Sequence, residues 1–330
     1  MKTILVICLA VLLAGCTAPS TEIGQEVVML EAKEAILPTT GNETELVEVI
    51  FPDTNLEAVI RETTGKAEGT IYSSELEDIT SLDAHNRGIV NITGVEYCIN
   101  LGWIQLGSNK IADVSPLANL PGMLQRSTDE EGRDSLYTSL YIGLGCNLIT
   151  DISPLAGLTS PDELYLMLAD NQIENISPLG GLTNLVGLYL RRNSISDLSP
   201  LSGLTKLNNL ELWGNKIKDI SPLGNLTNLS WLELEGNQIK DISPISSLTK
   251  LDVVNLSCNS IRDVASLPSL VNLRWLYLNN NQIIDVSTLA SLTQLKLLDL
   301  RYNKIIDAST LDGLSDTEVK LDGNLIGGGL

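Results

Sequence analysis

Residues 210–217 read LELWGNKI, and residues 232–239, 22 positions further on, read LELEGNQI. The two stretches differ only where Trp213 becomes Glu235 and where Lys216 becomes Gln238. Similarity at a fixed spacing of this size is typical of repeat proteins, in which neighbouring units stack on one another. The pair therefore indicates a solenoid. It also raises a question about Trp213, which lies beside leucines whose spacing marks them as the buried residues.

The same pattern accounts for most of the chain. From Leu185 onward, units of 22 residues follow one another as L-x-x-L-x-L-x-x-N-x-I-x-D-I-S-P-L-x-x-L-T-x. A degenerate unit at 79–100 and a truncated last unit bring the total to about eleven over residues 79–330. The clear units open at Leu101, Ser139, Glu163, Leu185, Leu207, Leu229, Leu251, Leu273 and Leu295.

This pattern is the leucine-rich repeat, and its 22-residue period with a DISPLxxLT second half resembles the internalin type found on bacterial surfaces. The resemblance implies an α/β, β-rich solenoid, a leucine-rich-repeat horseshoe wound as a right-handed superhelix. Its concave side would be a parallel sheet, its convex side short 3-10 helices or turns. The residues agree, because x-Leu-x-Leu-x alternates with period two, as a strand with inward leucines does. The Ser-Pro-Leu portion is too short for an α-helix.

Two polar columns recur through the units. An asparagine at the ninth position can satisfy buried backbone groups at a sharp turn. An aspartate four residues later is expected to cap the outer turn rather than to bind calcium, because no second carboxylate accompanies it at ligand spacing. The asparagines are Asn109, Asn147, Asn171, Asn193, Asn215, Asn237, Asn259, Asn281, Asn303 and Asn324, and the aspartates are Asp113, Asp151, Asp197, Asp219, Asp241, Asp263, Asp285 and Asp307.

Residues 46–78 precede the repeats and are predicted to form a helical N-terminal cap, as the internalin resemblance also implies. Asp53 is placed to cap one helix and Gly65 to end it. Ser74 and Glu77 have the spacing of a capping box for a second, short helix. Such a cap would cover the open edge of the sheet. At the other end of the repeats no cap is visible, so we expect that edge to stay open or to meet a partner.

Two irregularities interrupt the repeats. Residues 123–138 are a 16-residue insertion, and Pro161-Asp162 is a second insertion before Glu163. We interpret the first as a polar surface loop, with a ligand-gripping loop as the alternative.

The first 45 residues carry export signals. Residues 1–15 have one lysine and then a short apolar run, which is typical of a signal peptide. Leu13-Ala14-Gly15-Cys16 resembles a bacterial lipobox, which implies cleavage before Cys16 and a lipid on its sulfur. The alternative is an ordinary signal peptide that contains a cysteine. Residues 16–45 are predicted to be a flexible tether. We therefore expect an exported protein held on the outer surface of a membrane or envelope.

Composition excludes several kinds of partner. The formal net charge is −20, so neither nucleic acid nor an anionic membrane surface is an expected partner. The five cysteines show no metal-type spacing, so neither a metal nor a cofactor is expected.

The outward positions of x-Leu-x-Leu-x answer the question about Trp213, because they lie on the concave side of the sheet. All four tryptophans fall there, although the chain has only 13 aromatic residues. Exposed aromatic patches are typical of recognition surfaces, and carboxylates beside them suit a partner's Lys or Arg. The predicted ligand-binding residues are Trp103, Tyr141, Tyr165, Tyr189, Arg191, Glu211, Trp213, Trp231, Glu233, Glu235, Trp275 and Tyr277.

We therefore predict a monomeric, lipid-anchored scaffold that binds a protein through its concave face. A glycan-binding envelope protein is the alternative, and a spacer without a specific ligand is a more remote one. Aromatic residues also pack across neighbouring strands, which would explain part of the set. Glu211 and Glu233 have the separation found in retaining glycosidases. On an open sheet, however, we expect both to be hydrated with ordinary pKa values, and we predict no catalysis.

Overall fold

The computed structural model describes residues 47–128 and 134–326. The predicted signal peptide, the lipidation site at Cys16 and the whole tether lie outside these ranges. Within them, twelve strands form one sheet, in which eleven are parallel and follow chain order and β3 pairs with β4 in the antiparallel sense. The strands are β1 (Ser81–Asp83), β2 (Trp103–Gln105), β3 (Met123–Thr128), β4 (Asp134–Gly143), β5 (Glu163–Met167), β6 (Leu185–Tyr189), β7 (Asn209–Glu211), β8 (Trp231–Glu233), β9 (Val253–Asn255), β10 (Trp275–Tyr277), β11 (Leu297–Asp299) and β12 (Glu318–Lys320).

The side opposite the strands consists of short 3-10 helices, as the Ser-Pro-Leu portion predicts. Most of them begin at the serine of this portion, with the proline in the first turn, where its missing N–H leaves no bond unmade. The 3-10 helices are Val95–Tyr97, Ser115–Leu117, Ser153–Gly157, Ser177–Gly181, Ser199–Leu201, Ser221–Asn225, Ser243–Ser247, Leu267–Ser269, Ser287–Ser291 and Ser309–Gly313.

The core is one continuous column of aliphatic side chains between the strands and the 3-10 helices. In the repeat that opens at Leu207, both strand leucines, Leu210 and Leu212, are fully buried, as are Ile217 and Leu223. One hydrophobic cluster connects every repeat with the N-terminal cap. Because each unit buries its leucines only against its neighbours, the stack is stable as a whole rather than unit by unit.

The asparagine column forms a hydrogen-bonded ladder inside the turns, as predicted. Asn215 donates from Nδ2 to the carbonyls of Leu190 and Leu212 at 3.0 and 2.9 Å. Its Oδ1 accepts from the backbone N–H of Ile195 at 3.0 Å. Each asparagine thus joins its own turn to that of the preceding repeat. The residue before it adopts a left-handed conformation, as Gly214 does with φ 69°.

The aspartate column caps the outer turns, also as predicted. Asp219 Oδ1 accepts from the backbone N–H of Ser221 at 2.8 Å. Hydrogen bonds from the backbone and hydroxyl of Ser221 lower the pKa of Asp219. Within the described ranges, no three His, Cys, Asp or Glu side chains come together as a metal site would require.

The N-terminal cap contains two helices, α1 (Thr54–Thr64) and α2 (Ser73–Leu76). Asp53 caps α1 and also accepts from the backbone of Val90, which ties the cap to the first repeat. Gly65 ends α1 in a left-handed conformation, as predicted. The predicted capping box at Ser74 and Glu77 is wrong, because α2 begins earlier. The backbone N–H of Tyr72 donates to Glu75 at 2.8 Å instead.

The insertion at 123–138 is a β-hairpin rather than a loop, which corrects the prediction. Strands β3 and β4 pair over six residues, and the end of β4 continues as a strand of the main sheet. The two-residue insertion at Pro161-Asp162 holds its base. The Asp162 carboxylate accepts from the backbone N–H and the hydroxyl of Thr138 at 2.8 and 3.0 Å. The two insertions therefore contact each other and belong to the same structural feature, the β-hairpin and its base.

The last strand, β12, pairs only with β11 in the described part of the chain. None of the helices in the described ranges is long and apolar enough to cross a bilayer.

Candidate functional site

The concave face consists of the side chains that point away from the leucine core at three positions of each repeat. In β7 and the residues after it, these are Asn209, Glu211 and Trp213, since Leu210 and Leu212 point inward. Register pairing aligns equivalent positions of neighbouring strands, so that each position forms a column across the sheet. All twelve predicted ligand-binding residues lie in these columns.

An aromatic row opens the concave face on β2, β4 and β5. Trp103, Tyr141 and Tyr165 are partners in register. The two tyrosine rings stack with centroids 4.2 Å apart and planes 8° from parallel, a close aromatic contact across strands. Trp103 is 36% exposed. The row presents aromatic surface that its own packing keeps in place.

Tyr189 is buried, at 3% exposure, although the sequence predicted an exposed ligand contact. The reason is Gly187, two residues earlier on the same strand. A Cβ at Gly187 would lie 2.7 Å from the ring of Tyr165 and 3.1 Å from that of Tyr189. The rings of Tyr165 and Tyr189 therefore fill the space beside Gly187. Tyr189 is a buried packing residue beneath the surface of the concave face.

Trp213 is partly buried, because two arginines of the chain lie over its ring. The guanidinium carbons of Arg192 and Arg191 lie 4.7 and 5.6 Å from the ring centroid. Arg191 also forms an ion pair with Asp170, with Nε and Oδ2 3.3 Å apart. The prediction that Trp213 is exposed for a partner's cation is therefore wrong. It already makes cation–π contacts within the chain.

Glu211 and Glu233, which we call the central carboxylate pair, are partners in register on β7 and β8. Glu211 is only 5% exposed. Burial, and then the charge of Glu233, raise its pKa to about 7 against the opposing effect of Arg191. Burial likewise raises the pKa of Glu233 to about 7. The prediction of hydrated carboxylates with ordinary pKa values is wrong, since neighbouring side chains remove the water that an open sheet would leave.

Among the described residues, Glu211, the more buried member of the central carboxylate pair, lacks a hydrogen bond at one of its two oxygens. No donor in the described ranges reaches Oε2 of Glu211, and the buried indole Nε1 of Trp231 has no hydrogen bond of good geometry. The indole is nevertheless close enough to oppose the rise in the pKa of Glu233. Beside them, Glu235 accepts from Nδ2 of Asn255 at 2.9 Å.

The concave face continues on β10 and β11 with side chains that are paired within the chain. Arg274 lies over the ring of Trp275, with its guanidinium carbon 4.7 Å from the centroid, and forms an ion pair with Asp252. Burial raises the pKa of Tyr277, and the charge of Glu233 adds to that rise. Asp252 and Asp170 were missed by sequence reasoning, because neither lies at an outward strand position. The sequence feature that could have identified each aspartate is an arginine about one repeat later in the chain, with which it forms an ion pair.

The fold and the concave face define a leucine-rich-repeat solenoid. The family model described as "Leucine Rich repeats (2 copies)" matches residues 183–225, 227–269 and 271–315. An internalin (inlF) from Listeria monocytogenes is 36% identical, with a TM-score of 0.69 and 86% of each chain covered. An internalin C2 (inlC2) from the same organism is 35% identical with a TM-score of 0.63, covering 73% of this chain and all of that chain. The functional domain of InlJ, also from Listeria monocytogenes, is 25% identical with a TM-score of 0.63, covering 83% of this chain and 60% of that chain.

The chain therefore belongs to the internalin-type leucine-rich-repeat proteins.

Proposed function

We propose that this protein is a lipid-anchored scaffold on the cell surface that recognises a protein partner through its concave face. The observation that carries the proposal is the placement of the aromatic residues. All four tryptophans and four of the eight tyrosines lie in the concave columns. Aromatic side chains dominate the binding energy of many interfaces, and a preformed surface loses little conformational entropy on binding.

The chain's own packing holds these residues in place. Stacking fixes Tyr141 against Tyr165, and arginines fix Trp213 and Trp275. The protein would therefore act by binding a partner on a preformed surface and not by catalysing a reaction.

The location rests on the sequence. Leu13-Ala14-Gly15-Cys16 supports a lipid on Cys16, and residues 16–45 would lift the repeats from the membrane. Labelling with a radioactive fatty acid tests this, with Cys16→Ser as the matched variant. We expect incorporation into the unchanged chain and none into the variant. Equal labelling of both would overturn the lipid anchor and leave the concave face untouched.

The binding experiment is capture from envelope and extracellular extracts with the full chain. The test variant carries Trp103→Ala, Trp231→Ala and Trp275→Ala. Its matched control carries Val90→Ala, Val271→Ala and Ile284→Ala, which remove exposed apolar side chains away from the concave face. We expect a partner that the unchanged chain and the control capture and the test variant does not, with all three folded by circular dichroism. Equal capture by all three would contradict the proposal.

A glycan is the second candidate, because Trp103, Tyr141 and Tyr165 form a row of rings on adjacent strands that suits the faces of sugars. Treating the extract separately with protease and with glycosidases distinguishes the two. A protein ligand is lost after protease and survives glycosidases, whereas a glycan ligand shows the reverse.

A further inference from the structure

The central carboxylate pair differs from the other buried carboxylates of the concave face. Asp299 occupies the same column as Glu211, four strands further on, and is even more buried, at 2% exposure. The chain supplies its cation, since Nη2 of Arg301 lies 2.6 Å from Oδ2 of Asp299. Asp170 is paired in the same way with Arg191. The buried Asp299 and the partly buried Asp170 are thus each matched by an arginine of the chain.

Glu211 and Glu233 have no such partner. In the described part of the chain, no Lys or Arg lies within ion-pair distance of either carboxylate. Arg191 acts on Glu211 only at longer range, and it is already paired with Asp170. Oε2 of Glu211 accepts no hydrogen bond. A buried carboxylate left in this state destabilises the fold, so the arrangement provides acceptors that a ligand can satisfy.

The remaining groups around the pair add negative charge or polarity rather than a cation. Burial raises the pKa of Glu233 most, the side-chain amide of Asn255 lowers it, and the charge of Glu235 raises it further. The Asn255 amide itself donates to Glu235. The phenol of Tyr277 faces Glu233 from β10. The indole of Trp231 lies beside the pair on β8, whereas the ring of Trp213 is already covered by Arg192. The surroundings therefore combine acceptors with an aromatic wall, which is the chemistry that receives an ammonium or guanidinium group.

We propose that the central carboxylate pair receives one cationic side chain, a Lys or an Arg, of the protein partner, and that its entry displaces a proton from the pair into solvent. This inference rests on the proposed function and names the chemical group recognised at its centre. The partner's cation would do for Glu211 and Glu233 what Arg301 does for Asp299.

Displacement of a proton makes binding depend on pH in a definite direction. With pKa values of about 7, the carboxyls are mostly protonated at pH 6 and mostly ionised at pH 8. The cation binds the ionised form, so its affinity rises with pH through this window. For one displaced proton the rise is about tenfold between pH 6 and pH 8, and affinity becomes constant above that.

The experiment uses n-butylammonium chloride as the probe, with n-butanol as the uncharged control. The carbon-13 carboxyl signals of glutamate in the full chain are followed during titrations at pH 6 and pH 8. The test variant is Glu211→Gln with Glu233→Gln, which preserves side-chain size. The matched control is Glu174→Gln, which removes an exposed carboxylate outside the concave columns. If the double variant is not folded by circular dichroism, the single Glu211→Gln variant replaces it.

We expect saturable shifts of the Glu211 and Glu233 signals, about tenfold tighter at pH 8 than at pH 6. The shifts should be absent with n-butanol, lost in the double variant or at least tenfold weaker in the single variant, and kept in Glu174→Gln. Equal affinity at both pH values, no saturation, or retention in the test variant would overturn the inference. So would a stronger response of the same signals to calcium chloride at equal concentration.

The titration with n-butylammonium requires no partner protein, so its outcome is independent of the outcome of the capture experiment. If the probe fails while capture still depends on the tryptophans, only the cation site is wrong. If the probe binds as expected while capture ignores the concave face, only the proposed function is wrong.

Discussion

Glu211 and Asp219 are eight residues apart in one repeat, yet their environments oppose each other. Asp219 lies exposed on the outer turn, where hydrogen bonds from Ser221 lower its pKa. Glu211 lies on the concave face, where burial raises its pKa to about 7. The aspartate recurs in eight repeats because it serves the fold. Glutamates at the Glu211 position occur on two adjacent strands, as Glu211 and Glu233. Asp219 therefore stabilises its repeat, whereas the buried carboxylate of Glu211 destabilises it.

The largest expected effect is at Asn215, which lies between these two carboxylates in sequence and is buried and fully bonded. Asn215→Ala leaves the backbone N–H of Ile195 without its partner. It also removes one of the two asparagine hydrogen bonds that the carbonyls of Leu190 and Leu212 each accept. We expect it to lower the free energy of unfolding by about 2–4 kcal/mol. Urea denaturation at pH 7 measures this. A loss below about 0.5 kcal/mol would show that the ladder contributes little to stability.

The next effect has the opposite sign. Glu211→Gln removes a buried charge and should raise the free energy of unfolding at pH 8 by about 1–3 kcal/mol. The folded pKa of about 7 lies above the ordinary value of 4.5. The folded state therefore keeps a proton that the unfolded state releases, and stability falls as the pH rises from about 4.5 to 7.

The measurement that checks this is a set of urea denaturation curves between pH 4 and pH 8, for the unchanged chain and for Glu211→Gln. Their midpoints should coincide at pH 4 and diverge above it, with the variant more stable. Glu174→Gln, at an exposed position, is the matched control and should follow the unchanged chain. A variant that is less stable at pH 8 would show that Glu211 is ionised and well solvated.

The smallest effect is at Asp219, and its dependence on pH runs the other way. Asp219→Asn weakens the cap on Ser221, so the variant should be slightly less stable at pH 7. Because the pKa of Asp219 is lowered, the stability it contributes is present above about pH 4 and is lost as the pH falls through the folded pKa. The difference between variant and unchanged chain should therefore vanish in acid. A difference that instead grows in acid would contradict the capping role.

The sequence predicted the repeat well, because the period of 22 residues fixes which side chains face the core. Roles that recur in every unit, such as those of Asn215 and Asp219, follow from the same period. The hairpin at 123–138 was missed because an insertion has no second copy in the chain. The contact that holds its base comes from Asp162, which lies 24 residues from Thr138 in the chain.

The concave face could be predicted by position and not by environment. Strand alternation places Glu211, Tyr189 and Trp213 on that side. Whether each is exposed depends on neighbours in adjacent repeats, and the period does not specify these. Tyr189 is buried because residue 187 is a glycine and leaves space for its ring. Trp213 is partly buried because Arg192 lies over its ring. The residues unique to one repeat thus decide the chemistry of the site, and they are the least predictable ones.

The most direct test is the titration of Glu211 in the unliganded full chain. Carbon-13 carboxyl signals of labelled glutamate are followed from pH 3 to pH 9, and the Glu211 signal is assigned as the one missing in Glu211→Gln. The buried, unpaired carboxylate described above predicts a midpoint near pH 7. A midpoint near the ordinary value of 4.5 would contradict it, because Glu211 would then be a solvated carboxylate that needs no cation from a partner.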